Sequence, residues 1–220
     1  MARRKREPGR EDAAETRDLI LRTARHMFRE QGYRAVSTRK IAQACDLTQP
    51  LLYHYFQDKQ QLYVEVLRDD IDQARQSLFA IAGQPATVTE RLAQAIEHLL
   101  LDSRKPSNQM MHDMEHELKE EQRAMLFRGF YEGIMAPLAA ILGDALRSRA
   151  VDAPSVSEAT FRAGMNPMQA AQLLLSMLDR GSERFRGDHP GNVTAIRAYA
   201  DGIAQLLLYG LIGLATNETI

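Results

Sequence analysis

The sequence has a single cysteine, Cys45, and lacks an apolar run long enough to cross a membrane. One thiol excludes an internal disulfide and every zinc site that needs two or more thiolates from this chain. The longest strongly apolar stretch, residues 203–215, has about 13 residues, whereas a membrane span needs about 20. No apolar run follows the basic N-terminus, so it lacks the pattern of a secretory signal. These absences predict a soluble protein of a reducing compartment that has no membrane partner.

Segments of alternating apolar and polar residues, which would predict strands, are also lacking. The chain has 220 residues, of which 45% are hydrophobic and 26% charged, which are the proportions of a globular protein. Glycine and proline interrupt it only sparsely, so we predict an all-α fold of about nine helices. Beyond residue 85 the predicted helices cover residues 88–103, 108–119, 122–150, 167–185 and 193–215, with a kink or a segment end at Pro137.

The near-neutral net charge conceals an asymmetry along the chain. Residues 1–68 contain 14 Lys and Arg against 9 Asp and Glu, whereas residues 69–220 contain 14 against 20. A basic N-terminal third favours contact with a polyanion at that end. Chance clustering of solvated charges gives the same numbers, so the asymmetry alone does not decide between these interpretations.

Polar side chains at capping positions predict where the first four helices begin. The first helix is predicted to end at Gly32 as its C-cap, and the fourth to end near residues 82–83. The predicted starts are Thr16, Thr38, Thr48 and Asp58, the last forming a capping box with Gln61.

Two short helices separated by a turn near residues 45–47 form a predicted helix-turn-helix. On the second of these helices, Leu52 and Phe56 share an apolar face that can pack on the preceding helices. The four-residue spacing places Gln49 with Tyr53, and Pro50 with His54, on the opposite face. That face is polar and aromatic and needs no buried partner, so it can contact a nucleic acid.

Over residues 16–65 the sequence resembles the tetracycline-repressor (TetR) family of bacterial regulators. The resemblance implies an N-terminal three-helix DNA-binding unit and a larger C-terminal helical domain that binds ligands and forms dimers. The residues that carry it are Ala24, Phe28, Gly32, Tyr33, Thr38, Ile41, Ala42, Leu47, Thr48, Leu52, Tyr53, His54, Tyr55, Phe56, Lys59 and Leu62.

The resemblance implies phosphate contacts for Thr38, Tyr53 and Lys59, and places Gln49 and His54 near base edges. Helix N-termini favour phosphate, which agrees with the predicted positions of Thr38 and Lys59. Tyr53 and Tyr55 could instead be packing residues, and His54 a plain surface histidine. The full predicted DNA-contacting set is Thr38, Arg39, Thr48, Gln49, Pro50, Tyr53, His54 and Lys59.

Three residues depart from the family pattern. Asp46 occupies the turn position where glycine is usual, and aspartate can still adopt a left-handed backbone there. Pro50 lies in the first turn of the recognition helix, where a missing N–H is tolerated. Leu51 replaces a threonine or serine that often contacts phosphate, so it is not included among the DNA contacts.

The first residues of the chain form a predicted basic arm, residues 1–15. It contains a run of four cations, Arg3 to Arg6, and then Pro8-Gly9. Such an arm beside a DNA-binding unit can enter the minor groove. A solubilising tail has the same composition, so both interpretations stay open.

Residues His112, Glu115 and His116 match the zinc-peptidase pattern H-x-x-E-H. The sequence offers no identifiable third protein ligand and no second catalytic motif. A solvated acidic helix face is therefore the preferred interpretation, with His112 and His116 as weak metal candidates and no cofactor predicted.

Eight of the ten methionines lie in the middle and late helices. Methionine commonly fills cores, and its flexibility also suits an adaptable apolar pocket, which is what the resemblance implies for this region. The predicted ligand-contacting set is Met110, His112, Met114, Phe127, Phe130, Tyr131, Ile134, Met135 and Met177.

The apolar residues of the last two long helices cover more of each helix than a single buried face would require. The resemblance implies that residues 167–185 and 193–215 pair with a second copy of the chain. A fully internal helix pair is the alternative.

The sequence thus predicts a cytoplasmic, homodimeric regulator rather than an enzyme: a repressor that binds a palindromic duplex operator and responds to a largely apolar small molecule. The predicted division is a basic arm at 1–15, a DNA-binding domain at 16–62 and a ligand-binding and dimerisation domain at 63–220. Two alternatives stay open, a metal or redox sensor using His112/His116 or Cys45, and a helical metallohydrolase using His112, Glu115 and His116.

Overall fold

The computed structural model describes residues 10–102, 107–152, 164–183 and 193–212, with side chains described within 13–101, 112–147, 164–178 and 193–210. All regular structure in these ranges is helical, which confirms the all-α prediction. The predicted arm cations, Arg3 to Arg6, and the side chain of Met110 lie outside the described residues.

The described helices form nine continuous runs, as the sequence predicts. A π-helical turn, Tyr131–Met135, joins two of the helices, and a second, Leu208–Ile212, ends the last run. The helices are α1 (Arg10–Ala35), α2 (Thr38–Ala44), α3 (Gln49–Tyr55), α4 (Lys59–Ala82), α5 (Val88–Asp102), α6 (Ser107–Glu117), α7 (Glu120–Phe130), α8 (Ala136–Asp152), α9 (Pro167–Glu183) and α10 (Val193–Leu207).

The predicted start of the first helix at Thr16 was wrong, since α1 begins at Arg10. No helix-breaking residue lies between Gly9 and Thr16, and acidic residues 11 and 12 suit the positive end of a helix dipole. At the other end Gly32 has φ +77° and ψ 164°, so the helical backbone is interrupted where a C-cap was predicted, and a further helical turn follows to Ala35.

The chain divides into two compact units. The first comprises the described residues up to Asp70 together with His112–Leu126, and the second comprises the described residues of the rest. The core of the first is built around apolar side chains of α1 to α4, among them the fully buried Ile20, Ile41, Leu52, Phe56 and Leu62. In the second, α10 packs mainly on α5, and α8 packs on α9 and α5.

Pro137 lies two residues after the π-helical turn between α7 and α8. Proline lacks an N–H, and its ring clashes with the carbonyl four residues earlier in a regular helix. The Ala136 N–H donates to the Tyr131 carbonyl, five residues back, so the extra residue of the π turn accommodates the proline without ending the run.

The run Glu120–Arg147 is long and apolar enough, by length and composition, to cross a membrane. Core helices of soluble proteins pass the same test. Here Leu138, Ile141, Leu142 and Leu146 are buried in the core of the second unit, so packing accounts for the apolar character of α8.

Candidate nucleic-acid interface

The turn between α2 and α3 is closed by a left-handed residue. Asp46 has φ +55°, the conformation that glycine would adopt most easily. The Leu47 N–H donates to the Ala42 carbonyl at 2.8 Å, which closes the end of α2. The prediction that aspartate adopts this backbone is confirmed.

Ser37, and not Thr38, caps α2, so the predicted cap was one residue off. Ser37 has an extended backbone and its Oγ accepts from the Lys40 N–H at 3.2 Å. Thr38 is the first helical residue and is buried. Serine and threonine are both good caps, so the local sequence does not show which of two adjacent hydroxyl residues caps the helix. Because Thr38 is packed in the interior, Ser37 takes the capping position.

Thr48 caps α3 as predicted. Its Oγ1 accepts from the Leu51 N–H at 3.4 Å, and Pro50 lies in the first turn, where its missing N–H leaves no acceptor unpaired. Leu52 and Phe56 are fully buried, so the inward face of α3 is fixed by packing. The opposite face is thereby held towards solvent.

A polar network links α2 to α3 on this outer face. The Gln49 side-chain amide donates to Thr38 Oγ1 at 3.1 Å and to the Tyr53 hydroxyl at 3.3 Å, and the two hydroxyls are 3.1 Å apart. Hydrogen bonds from Thr38 and then Gln49 lower the pKa of Tyr53. We call Thr38, Gln49 and Tyr53 the outer network; the hydroxyl of the buried Thr38 orients the Gln49 amide and the Tyr53 phenol on one surface.

The other predicted contacts surround the outer network or flank it. His54 is exposed and its ring meets Tyr55 edge to face at 5.5 Å, while Tyr55 itself is half-buried. Arg39 and Pro50 are exposed on α2 and α3. Leu51 is also exposed, so an apolar side chain lies on this surface beside the polar ones.

Lys59 is the first residue of α4, as predicted for a phosphate contact at a helix N-terminus. Asp58 Oδ1 accepts from the Gln61 N–H at 2.7 Å, and Gln61 Oε1 accepts from the Gln57 N–H at 2.7 Å, so the capping box forms with its return bond one residue early. No pattern in the sequence indicated that the Lys59 ammonium lies 3.9 Å from the centre of the Tyr33 ring. Burial lowers the pKa of Lys59, and the carboxylates of Glu117 and Asp113 oppose that shift.

The predicted ligand-contacting residues fall in different places. His112 is exposed and Met114 is buried, both in the first unit. In the second unit Met135 is buried, and Phe130, Ile134 and Met177 pack against the core. Phe127 and Tyr131 are 38% and 52% exposed, so they lie on the surface. A shallow groove on α4 is lined by Asp72, Arg75, Gln76 and Phe79, none of which belongs to the predicted set.

The two histidine rings of the H-x-x-E-H pattern lie next to each other on the exposed face of α6, with ring centres 4.2 Å apart and ring planes tilted by 30°. The Nδ1 of His116 is 2.9 Å from the carbonyl oxygen of His112. Among the described residues, no three His, Cys, Asp or Glu side chains are grouped as metal ligands. Cys45 is buried in the first unit. The metallohydrolase and the metal and redox alternatives therefore gain no support from the described geometry.

Large apolar side chains remain exposed on the last two helical runs, which were predicted to pair with a second copy. They are Leu173 on α9, Val193 and Leu206 on α10, and Tyr209 on the following π turn. Leu206 is the most exposed of them, at 60%.

Comparison with known proteins identifies the N-terminal region. Residues 20–66 match the family described as bacterial regulatory proteins, tetR family. The transcriptional repressor KstR2 of Mycolicibacterium smegmatis is 41% identical over 59 residues, which cover 27% of this chain and 29% of that protein. The chain matches between 29% and 44% of the length of such curated relatives.

Solved structures match over most of the chain. A crystal structure of AibR in complex with isovaleryl coenzyme A and operator DNA is 25% identical, covers 88% of this chain and 98% of its own, and has a TM-score of 0.62. The regulator PfmR from Thermus thermophilus is 26% identical, with 86% and 96% covered and a TM-score of 0.59. With the helix-turn-helix and the outer network in place, residues 20–66 are identified as a DNA-binding region of the type found in the tetR family of bacterial regulatory proteins, and the fold of most of the chain is similar to that of solved regulators.

Proposed function

We propose that this chain is a DNA-binding transcriptional regulator of the bacterial cytoplasm, with no enzymatic activity of its own. It acts as a repressor that leaves a palindromic operator when a small, largely apolar molecule binds. In this proposal residues 16–62 contact the DNA, and residues 63–220 carry effector binding and dimerisation.

The observation that carries the proposal is the outer network. The Tyr53 side chain is exposed and that of Gln49 is half-buried on the outer face of the helix-turn-helix, where backbone phosphates and base edges can meet them, and both are hydrogen-bonded to the hydroxyl of the buried Thr38. Thr38, Tyr53 and Lys59 supply phosphate contacts, which position the protein. Gln49 and His54 supply base contacts, which select the sequence.

A homodimer follows from the exposed apolar side chains of α9 and α10. Leu173, Val193, Leu206 and Tyr209 expose apolar surface that a second copy would cover. Two-fold symmetry places the same face of both copies in contact through residues 167–185 and 193–215. The two recognition helices α3 then lie about 34–36 Å apart, or somewhat more, on the operator.

The effector class is the part of the proposal that the AibR complex supports. That protein is bound to isovaleryl coenzyme A, a thioester with a short apolar acyl group. Acyl thioesters are therefore the first effectors to test on this chain. The helix α4 has residues in both compact units, so we propose that it transmits the effect. Tenfold weaker operator binding needs a coupling free energy of about 1.4 kcal/mol.

Selection from a random duplex library tests the proposal. The enriched sites should contain an inverted repeat, and a nuclease footprint should protect two half-sites. Acyl thioesters of several chain lengths, with free coenzyme A as the control, should then release the protein. Enrichment of no sequence, or of one without two-fold symmetry, would contradict the proposed function.

A further inference from the structure

A buried carboxylate of α6 belongs to the same compact unit as the helix-turn-helix. Asp113 is only 3% exposed, and its Oδ2 accepts hydrogen bonds from the Tyr33 N–H at 3.3 Å and from the Tyr63 hydroxyl at 3.4 Å. Burial of a carboxylate is costly unless it is hydrogen-bonded. These two bonds are formed with α1 and α4, so Asp113 connects three helices.

The backbone N–H of Tyr33 needs a hydrogen-bond acceptor, which the Asp113 carboxylate provides. The helical backbone of α1 is interrupted at Gly32, immediately before the Tyr33 N–H. An N–H at the start of a new helical turn has no intrahelical acceptor and is usually paired with a capping side chain. Asp113 supplies that acceptor from 80 residues further along the chain.

The Tyr33 ring is held in an aromatic cluster. Its centre lies 4.8 Å from that of Tyr63 and 5.9 Å from that of Phe28, and Phe28 and Tyr63 meet edge to face at 4.9 Å. The ammonium of Lys59 lies over the Tyr33 ring at 3.9 Å, which is cation–π geometry. Asp113 thus fixes the backbone of Tyr33 and the hydroxyl of Tyr63, and the fixed ring of Tyr33 locates Lys59.

The end of α6 adds a second connection. Glu117 Oε1 accepts from Arg34 Nε at 2.5 Å, and the Glu117 carbonyl accepts from the side chain of Gln60. Arg34 and Gln60 are the neighbours in sequence of Tyr33 and Lys59. The ring and the ammonium are therefore each flanked by a contact with α6.

We propose that Asp113 is a positioning residue for DNA binding, which holds Tyr33 beneath Lys59 and so directs the ammonium to a DNA phosphate. The inference rests on the proposed function and deepens it, because it extends the DNA-binding machinery beyond residues 16–62. Asp113 itself touches no DNA.

The overall charge of the protein and the proposed positioning role predict opposite changes in operator affinity when Asp113 loses its charge, so the inference can be tested. Removal of a negative charge from a protein that binds a polyanion should strengthen binding. If Asp113 positions Lys59, Asp113→Asn should instead weaken operator binding, by roughly threefold or more. The matched control is Glu132→Gln, which removes one charge from an exposed position in the second unit and should leave operator affinity unchanged or slightly higher.

The experiment is a double-mutant cycle on the full chain, read by fluorescence anisotropy with a selected operator. Lys59→Ala alone should weaken binding roughly tenfold and reduce the slope of log affinity against log salt by about 0.9. In the Lys59→Ala background, Asp113→Asn should cause no further loss. Equal losses in both backgrounds would show that Asp113 acts only through general stability, and would overturn the inference.

Circular dichroism establishes that each variant is folded at the assay temperature. If Asp113→Asn is not, Tyr63→Phe replaces it in the cycle, because it keeps the ring and deletes one hydrogen bond to Asp113. It should show a smaller loss with the same dependence on Lys59, and a loss independent of Lys59 would again overturn the inference. Failure of the wild type to bind any operator would contradict the proposed function instead.

Discussion

At the scale of single residues, the adjacent hydroxyl side chains of Ser37 and Thr38 form different hydrogen bonds. Ser37 accepts a backbone hydrogen bond at the start of α2, whereas Thr38 turns its hydroxyl to Tyr53 and Gln49. Under the proposed function, Ser37 stabilises α2 and the adjacent Thr38 takes part in DNA binding. Substitutions that remove one hydroxyl at a time can separate the two roles.

Ser37→Ala should lower the free energy of unfolding by about 1 kcal/mol, because the first turn of α2 loses its side-chain acceptor. Ser37→Asp, which preserves a capping oxygen, is the control and should be near wild type. Thr38→Val keeps the shape and the Ser37 cap, so its main effect should be weaker DNA binding. Denaturant titration measures the first effect and fluorescence anisotropy the second; a larger stability loss in Thr38→Val than in Ser37→Ala would contradict this assignment.

Base selection should depend on Gln49 and His54. Gln49→Ala and His54→Ala should flatten the preference among operator variants, by about 1–3 kcal/mol at a position where a bidentate contact is lost. Tyr53→Phe should weaken binding to all duplexes alike, since a phosphate contact carries no sequence information. Competition among single-base operator variants measures both. A Gln49→Ala protein that keeps the full wild-type preference would rule Gln49 out as a base contact.

At the scale of the elements, the π turn between α7 and α8 packs closely against α4. A Cβ added at Gly133 would lie 3.2 Å from the Cβ of Arg75 and 3.3 Å from Cγ2 of Ile71, both on α4. A Cβ added at Gly129 would meet Ile71 at 3.5 Å, an ordinary contact. Both glycines face α4, but only Gly133 is needed for the close approach.

Gly133→Ala should therefore be less stable than Gly129→Ala, by about 1 kcal/mol. Both changes gain helix propensity, while only the first forces packed atoms apart. Thermal unfolding of the two variants beside wild type provides the measurement. Equal stabilities would show that the crossing relaxes without cost.

Several boundaries follow from local patterns in the sequence, and others depend on distant partners. The caps at Thr48 and Asp58 and the left-handed Asp46 were predictable because each is decided by its own neighbours. The start of α1 was missed because Thr16 is an adequate cap in isolation, while the last breaking residues are Pro8 and Gly9.

The contacts of α6 could not be predicted from its own sequence, because they are formed with residues of distant helices. Residues 112–117 look like a solvated acidic face, yet Asp113 is buried against Tyr33 and Tyr63 from sequence-distant helices. Nothing within α6 distinguishes Asp113 from its exposed neighbour Glu115. Gln49 and Tyr53 of the outer network, in contrast, share a face of α3 at a spacing of four, so their proximity could be predicted.

At the scale of the whole molecule, the first unit presents the outer network and the last helices expose apolar side chains. The proposed pseudo-palindromic operator requires two copies of the first surface, and the proposed dimerisation through the second would supply them. Stable association is therefore a condition of the proposed function.

Leu206→Glu should convert the proposed dimer to a monomer, because it would bury an unpaired charge in the proposed interface. Phe79→Glu makes the same kind of change at an exposed apolar residue of α4 and should leave the dimer intact. Light scattering at micromolar concentration distinguishes the two. A wild-type protein that is monomeric under these conditions would refute the proposed dimer.

Sequence-specific DNA binding through the helix-turn-helix is tested most directly by the salt dependence of affinity for a selected operator and for a scrambled duplex. We expect the operator to be bound about 10³-fold or more tightly than the scrambled duplex, and affinity for both to fall steeply as salt rises. Equal affinities for the two duplexes, or an affinity insensitive to salt, would contradict sequence-specific binding by this surface.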